Sequence, residues 1–557
     1  MSLLKHANDT DSSRSWLERY WLAWAVFILA VIYGPIISAG KLSNFDDPGL
    51  IPILEPVRSI SDYLALRAQG KVMDVQPLRD FSYWVDHQLA HAFGFPTFHL
   101  TNAALFFGIA ASARALWQKA KLSERTSTWL SLFLLANPIF AATVAWASAR
   151  KHLLASLLIL QASLHAWRWI EKSEKRFPWL SILFYLLAMS AQPMAILWPL
   201  FPLALIFQIH GKAWKEWIRA RLPALIFTAL ALGAIALATA YLNDRYYSVS
   251  YLNQSRGIPK YLLGEDAALS WKLLSLGRFF FQALFPVLPN VWDHYPAHPA
   301  GMAGIALLVF LPFLGWKLRQ RAPQALFWQG AALGVLAPVW LKQTNVFCAD
   351  TYLILPVVCL WTSAAQWAGP WLQVRLEKRK QLALLLGAIL VIAGASRARP
   401  IATAFRSSLE TWQTAYELEP TPQNAHLYAK SLYFEHRPLQ ALPVVVRLVD
   451  WKPETLDLDL LFMNVLIQIP EFTVKDRLKL LRENWFNTPW TEYYRAIWLS
   501  ESGDAEQAWK FGRRLLELPE LRANKTFGDN WPKIETRMIE LCQAAKQKGC
   551  PKASKGE

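Results

Sequence analysis

Charge-free apolar runs recur along the first two-thirds of the chain, and several reach the roughly 20 residues that an α-helix needs to cross the hydrocarbon core of a bilayer. Trp21 to Gly40 and Thr126 to Ala149 are the clearest. The chain is 54% hydrophobic with a positive mean hydropathy, above the roughly 45–50% apolar content of soluble domains. These runs predict an all-α, polytopic membrane protein. Many of the 28 tryptophans flank them, among them Trp21, Trp117, Trp169, Trp214 and Trp316, where amphipathic rings favour the membrane interface.

The formal charge of +17 raises the question of nucleic acid, and its placement answers it. The basic clusters lie beside apolar runs: Lys119/Lys121/Arg125, Lys172/Lys175/Arg176, Lys212/Lys215/Arg219/Arg221, Lys317/Arg319/Arg321 and Arg375/Lys378/Arg379/Lys380. Spans are expected near 21–40, 97–116, 127–147, 153–170, 177–191, 193–209, 222–242, 301–316, 323–341, 352–373 and 381–397, about eleven crossings of bilayer length. From a cytoplasmic N-terminus this parity puts every basic cluster inside, as the positive-inside rule requires. The basicity is thus topological, and no nucleic-acid partner is expected. The loops with Asp46/Asp47, Arg150/Lys151, residues 243–300 and Asp350 fall outside.

Gln192-Pro193 is read as the break between two spans, because proline ends helices. Two outer segments look interfacial. Val57, Ile60, Tyr63 and Leu64 recur at helical spacing with Arg58, Ser61 and Arg67 between them. The apolar stretch 268–288 carries Lys272 and Arg278 and is expected to be re-entrant or surface-lying.

After Ser396 the apolar runs shorten and charges return, which sets a membrane domain over 1–397 and a helical, non-cytoplasmic domain over 398–557. Prolines at 420, 453, 489 and 519 recur close to the 34-residue tetratricopeptide period. Residues 493–520 read as a helix end, a Gly503-Asp504 turn and a second helix with Ala505, Ala508 and Leu515 on one face. A TPR-like α-solenoid follows, a surface suited to docking a partner. Cys542 and Cys550, in "CQAAKQKGC", can close a small disulfide loop outside the cytoplasm or remain as two reduced thiols.

No zinc spacing, Walker loop, dinucleotide fingerprint or nucleophile elbow is present. The chemistry left is acidic and basic residues at the outer ends of spans. Asp46 and Asp47, in "KLSNFDDPGLI", are adjacent carboxylates whose repulsion raises one pKa and suits a base that takes a proton from a hydroxyl. The same residues are also turn chemistry. Arg150 and Lys151 run against the positive-inside bias, and they either snorkel toward headgroups or serve a function at membrane depth.

Five segments in order resemble the transmembrane and tetratricopeptide-repeat-containing O-mannosyltransferases and their bacterial relatives, which belong to the GT-C glycosyltransferases. The acidic pair matches their first outer-loop motif. "QPLRDFSYWVDHQLAHAFGFPTFHLTN" resembles their Arg-Pro-Leu segment followed by Phe-His-Leu-x-Asn, here Phe98, His99, Leu100 and Asn102. "NPIFAATVAWASARKHLLASL" resembles the approach to Val-Ala-Trp-x-Ser-x-Arg-Lys, here Val144 to Trp146, Ser148, Arg150 and Lys151. "SAQPMAILWPL" and "ADTYLILP" resemble a Lys-Pro-Met motif and an Ala-Asp-Arg-Tyr-Leu segment. The departures are Gln76 for arginine, Gln192 for lysine and Thr351 for arginine; Asn137, Phe140 and Ala142 also depart. They mark a divergent member and separate the catalytic class from the identity of the sugar.

The resemblance implies a GT-C-like helical bundle that transfers sugar from a polyprenyl-phosphate-linked donor to an acceptor hydroxyl, a Ser or Thr of an exported or pilin-like protein, on the non-cytoplasmic face. Asp47 or Asp46 is then the base, and Arg150 and Lys151 hold the departing phosphate. Arg79, His99, Asp350 and Tyr352 are supporting residues, with Arg79 standing in for the arginine absent at 76. A divalent metal is admissible but not required. The tail presents the protein acceptor. The setting is a bacterial inner membrane, with the N-terminus cytoplasmic and the C-terminal domain periplasmic. The competing readings are a non-catalytic membrane scaffold that recruits partners through its tail, and a lipid-handling transporter.

Overall fold

The structure is a computed structural model that describes residues 16–40, 42, 47–68, 76–172, 177–192, 196–254, 268–285, 289, 299–317, 324–341, 350–377, 379–451, 456–482, 489–517 and 531–545. Among the described residues every regular element is helical. Four helices are long and apolar enough to cross a membrane: Trp21–Ala39, Ala147–Glu171, Pro299–Lys317 and Gln381–Ala404. The bent pair Glu124–Ala136 and Pro138–Ala145, broken by 46°, makes up to five. Shorter apolar helices include Trp179–Ala191, Leu200–His210 and Ala325–Ala337. Large apolar side chains such as Phe27, Leu237, Val309 and Ile392 are more than half exposed, a surface that suits lipid rather than water. The chain is thus consistent with a membrane protein.

Two compact units form, Met1–Glu419 and Pro420–Glu557. The composition change after Ser396 predicts an earlier boundary. Lys380–Ala404 is instead one continuous helix that carries Arg397 and Arg399 in its later turns, and Ser408–Leu418 packs after it within the first unit. Arg278 also reaches Glu419 at 3.4 Å and holds that end of the unit in place.

Local sequence explains where the helices stop. Trp21–Ala39 ends on Gly40 at φ +59°, whose N–H returns to the Ile36 carbonyl; only glycine adopts that left-handed cap cheaply. Glu124–Ala136 starts on Ser123, whose hydroxyl accepts from the Thr126 N–H. Trp179–Ala191 ends at an extended Gln192, as expected for a break there, while Pro193 lies outside the described residues. The Phe98–Lys119 and Arg150–Glu171 helices pack on one another, and Glu124–Ala136 packs on the first of them.

The segment read as re-entrant or surface-lying forms the helix Ala268–Leu284, packed extensively along Pro299–Lys317. The two backbones meet at Gly277, Gly301 and Gly304: a Cβ on Gly304 would lie 1.7 Å from the Gly277 carbonyl oxygen. Small residues at such a crossing are how membrane helices approach closely.

In the second unit the helices Pro422–Phe434, Pro438–Trp451 and Leu456–Ile467 pack in succession, Leu456–Ile467 and Val474–Arg482 both pack on Pro489–Glu501, and Pro489–Glu501, Ala505–Leu516 and Trp531–Ala544 again pack in succession. Gly503, at φ +91°, makes the predicted turn, and Asp504 caps the next helix by accepting from the Gln507 N–H at 3.1 Å. Ala508 and Leu515 are buried on the inner face; Ala505 is only partly so. Cys542 is buried and disulfide-bonded; Cys550, its expected partner, lies outside the described residues.

Candidate functional site

The site is built around a break in the chain between the 13-residue helix Glu124–Ala136 and the 22-residue helix Arg150–Glu171. Asn137-Pro138 ends Glu124–Ala136, and Asn137 Oδ1 accepts from the Ile139 N–H at 3.2 Å. The chain then runs through short turns at Pro138–Phe140, Ala141–Ala145 and Ala147–Ala149 before Arg150 opens the long helix to Glu171. Such a broken stretch leaves backbone groups without intrahelical partners, and side chains must supply them. Asn102 does so: its amide nitrogen donates to the Val144 carbonyl at 3.1 Å and the Trp146 carbonyl at 3.0 Å. The Tyr83 hydroxyl donates to the Ala147 carbonyl at 3.1 Å.

Asp47 closes the break from the other side. It opens the short helix Asp47–Leu50 and is fully buried. Its Oδ1 accepts from the Ser148 N–H at 2.9 Å and also from the Ser148 hydroxyl. Leu50, Ile51, Leu54, Val57, Tyr83, Phe98 and Ala147 form the apolar cluster beneath it. Asp46 lies outside the described residues.

Arg150 is also fully buried, and its guanidinium is engaged throughout. Nε donates to Asn102 Oδ1 at 2.8 Å. One terminal nitrogen donates to the Ser82 carbonyl at 3.2 Å. The other donates to the Phe98 carbonyl at 2.8 Å and pairs with the Asp86 carboxylate. The Tyr83 ring lies 4.8 Å away as a cation–π partner. A phosphate contact would require this side chain to leave buried protein acceptors, which is costly for a charge. In this geometry Arg150 holds the site together, and Lys151 follows it, partly buried.

Arg79 is similarly engaged. Its Nε and one terminal nitrogen donate to Asp80 Oδ1, and the other donates to Gln76 Oε1 at 3.1 Å. Tyr63, on the helix Ile60–Ala68 expected to lie on the membrane, donates to Asp80 Oδ2 at 2.8 Å. Gln76 in turn donates through Nε2 to Gln192 Oε1 at 2.8 Å. Two glutamines 116 positions apart are therefore in contact with each other.

His99 is buried in the first turn of Phe98–Lys119. Asp350 and Tyr352 form a short turn packed on the break at 138–145. The Tyr352 ring meets the His152 ring edge-on at 4.9 Å, which brings this pair to the Arg150–His152 stretch. Among the described residues no three His, Cys, Asp or Glu side chains come together as a metal-binding group.

Sequence reasoning missed Asp86, Ser148 as a partner of Asp47, and the bridging role of Asn102. Asp86 accepts from the Thr97 hydroxyl at 3.0 Å and the Thr101 hydroxyl at 2.5 Å as well as pairing with Arg150. A signal for it existed. Arg79, Tyr83, Asp86 and His87 recur at helical spacing and are buried, while Phe81, Leu89 and Phe93 on the same helix are exposed. A helix with its polar stripe inward and its apolar stripe outward presents those polar side chains to the interior of the unit.

No family model, curated protein or solved structure matches this chain.

Proposed function

We propose that the protein is a polytopic membrane glycosyltransferase of GT-C type that uses a polyprenyl-phosphate-linked sugar. The observation that carries the reading is the meeting of three segments far apart in sequence: Asp47 on Ser148, Asn102 on both the 144–146 backbone and Arg150, and Asp86 on Arg150. These are the segments whose motifs resemble that class. In this reading Asp47 takes the proton from the acceptor hydroxyl, or Asp46 beside it does. The acceptor oxygen attacks the anomeric carbon, and the bond from that carbon to the phosphate oxygen breaks. The polyprenyl phosphate leaves with the electron pair, and Lys151 neutralises it. Arg150 positions this apparatus; Asp350, Tyr352, His99 and Arg79 support it.

About eleven crossings, a cytoplasmic N-terminus and a periplasmic TPR-like tail complete the proposal. The disulfide at Cys542 fits a tail outside the cytoplasm, where such bonds persist. The tail would present a Ser or Thr of an exported protein to the membrane unit.

Two observations favour a non-catalytic scaffold instead. Two positions that are cationic in the resembling family are joined here as Gln76–Gln192, and Arg150 is wholly committed to protein. Asp47→Asn separates the readings, because an asparagine Oδ1 still accepts from Ser148 and keeps the fold. The transferase reading expects the glycan mass on exported proteins to fall by about a hundredfold or more in yield, the scale of losing a general base. Intact-mass spectra of exported proteins unchanged by Asp47→Asn and by Asp46→Asn, with partner recruitment lost only on deleting 420–557, establish the scaffold.

A further inference from the structure

Away from Asp47, the first unit contains an apolar cavity of about 250 Å³ between the helices Phe98–Lys119, Arg150–Glu171, Leu200–His210, Ala325–Leu341 and Ile354–Glu377. Its inner wall is buried and apolar: Leu160, Trp198, Trp328 and Val358 are all at most 5% exposed. The one hydroxyl on that wall, Ser163, is already satisfied, since it accepts from the Trp198 indole at 2.9 Å and donates to the Ile159 carbonyl at 2.8 Å. Besides Ser163 the lining carries the Cys359 thiol and the Trp328 indole, whose Nε1 has no hydrogen-bond partner among the described residues; the rest of the lining is apolar. The space is real at the glycine wall, where a Cβ built on Gly330 or on Gly334 meets nothing within 4 Å.

The cavity also has a side opening. Leu200 lines it and is 56% exposed, and Ala204 and Gly330, also in the lining, are exposed. Leu200 and Ala204 belong to the helix Leu200–His210, whose outer face carries exposed Leu203 and Phe207, so the mouth opens onto the apolar surface that suits lipid. Water does not fill such a space: apolar cavities of roughly 150 Å³ stay dry and take up hydrocarbon. We infer that the cavity holds one hydrocarbon chain of a membrane lipid, entering sideways from the bilayer at Leu200. The inference does not rest on the transferase reading, because it needs only the cavity and its mouth.

The test uses the full chain in nanodiscs doped with one of two photoactivatable lipids, a phosphatidylglycerol with a diazirine in one acyl chain or a polyprenyl phosphate with a diazirine in its chain. After irradiation, adducts are mapped by peptide mass spectrometry. The expected result is labelling within 197–204 and 327–335 of the wild type, lost in Gly330→Leu/Gly334→Leu, which fills the cavity from its open wall. Labelling of the lipid-facing residues of Gln381–Ala404 should be unchanged in that variant and serves as the check on its folding. The acyl probe alone labelling the cavity identifies a phospholipid tail; preferential labelling by the prenyl probe identifies a carrier lipid. No adducts in those two segments from either probe, or adducts there that persist undiminished in the filled variant, overturn the inference. If Gln381–Ala404 labelling changes in the double variant, the single variants Gly330→Leu and Gly334→Leu are read by the same criteria.

Discussion

Asp86 and Arg150, on different helices and 64 positions apart, form an ion pair in which both side chains are at most 1% exposed. Removing one partner of such a pair strands a buried charge at a cost of about 3–5 kcal/mol, whereas replacing both by apolar residues can be neutral. Arg150→Met should therefore lower the thermal unfolding midpoint of the detergent-solubilised chain sharply. Arg150→Met/Asp86→Leu should recover part of the loss. Equal midpoints for the single and double variants would show that Asp86 contributes nothing through the pair.

The Gln76–Gln192 contact joins two segments 116 positions apart with a single hydrogen bond between side-chain amides. A neutral hydrogen bond of this kind contributes about 0.5–1.5 kcal/mol. A double-mutant cycle with Gln76→Ala and Gln192→Ala should return a coupling in that range. A coupling near zero would mean that the two glutamines are not joined in the folded protein.

At the glycine crossing, Gly304→Ala has no room, since its Cβ would meet backbone at 1.7 Å. Overpacking should cost at least about 1–3 kcal/mol. Gly233→Ala is the contrast: nothing lies within 4 Å of that Cβ, and in a helix interior the change should gain up to about 1 kcal/mol. Paired thermal melts of the two variants, shifting in opposite directions, check both statements.

Asp476 and Thr473 cap the helix Val474–Arg482 reciprocally. The Thr473 N–H donates to Asp476 Oδ2 at 3.0 Å, and the Asp476 N–H donates to the Thr473 hydroxyl oxygen at 3.2 Å. The Thr473 hydroxyl, then its backbone N–H, hold the Asp476 carboxyl below the usual carboxylate range. A depressed folded pKa gives a contribution that is complete above the unfolded value and lost as pH falls through the folded one. Asp476→Asn should flatten the acid side of the stability profile and leave the neutral side parallel to wild type. Unfolding midpoints measured from pH 7 down to pH 3 decide this; an unchanged acid slope refutes it.

What the sequence made legible was local. The break at Gln192, the Gly503–Asp504 turn and the apolar helices follow from proline, glycine and hydropathy acting within a few residues. The commitment of Arg150 was not legible, because its partners come from Ser82, Asp86, Phe98 and Asn102 on two other helices, and no local pattern in 146–151 names them. Asp86 is poorly legible for a related reason: a polar stripe on an amphipathic helix ordinarily faces water, and Pro77–Phe93 is turned the other way. The continuity of Lys380–Ala404 is not local either: Arg397 and Arg399 look like the end of a membrane segment, yet their helix continues to Ala404.

Asn102 is one amide with three bonds, two to the Val144 and Trp146 carbonyls and one from Arg150. A side chain shared in this way works as a rivet: it fastens the backbone on one side of the Ala147–Ala149 turn to the arginine on the other. The turn that carries Ser148, and with it the seat of Asp47, is thereby pinned at both ends by a single residue of a third segment.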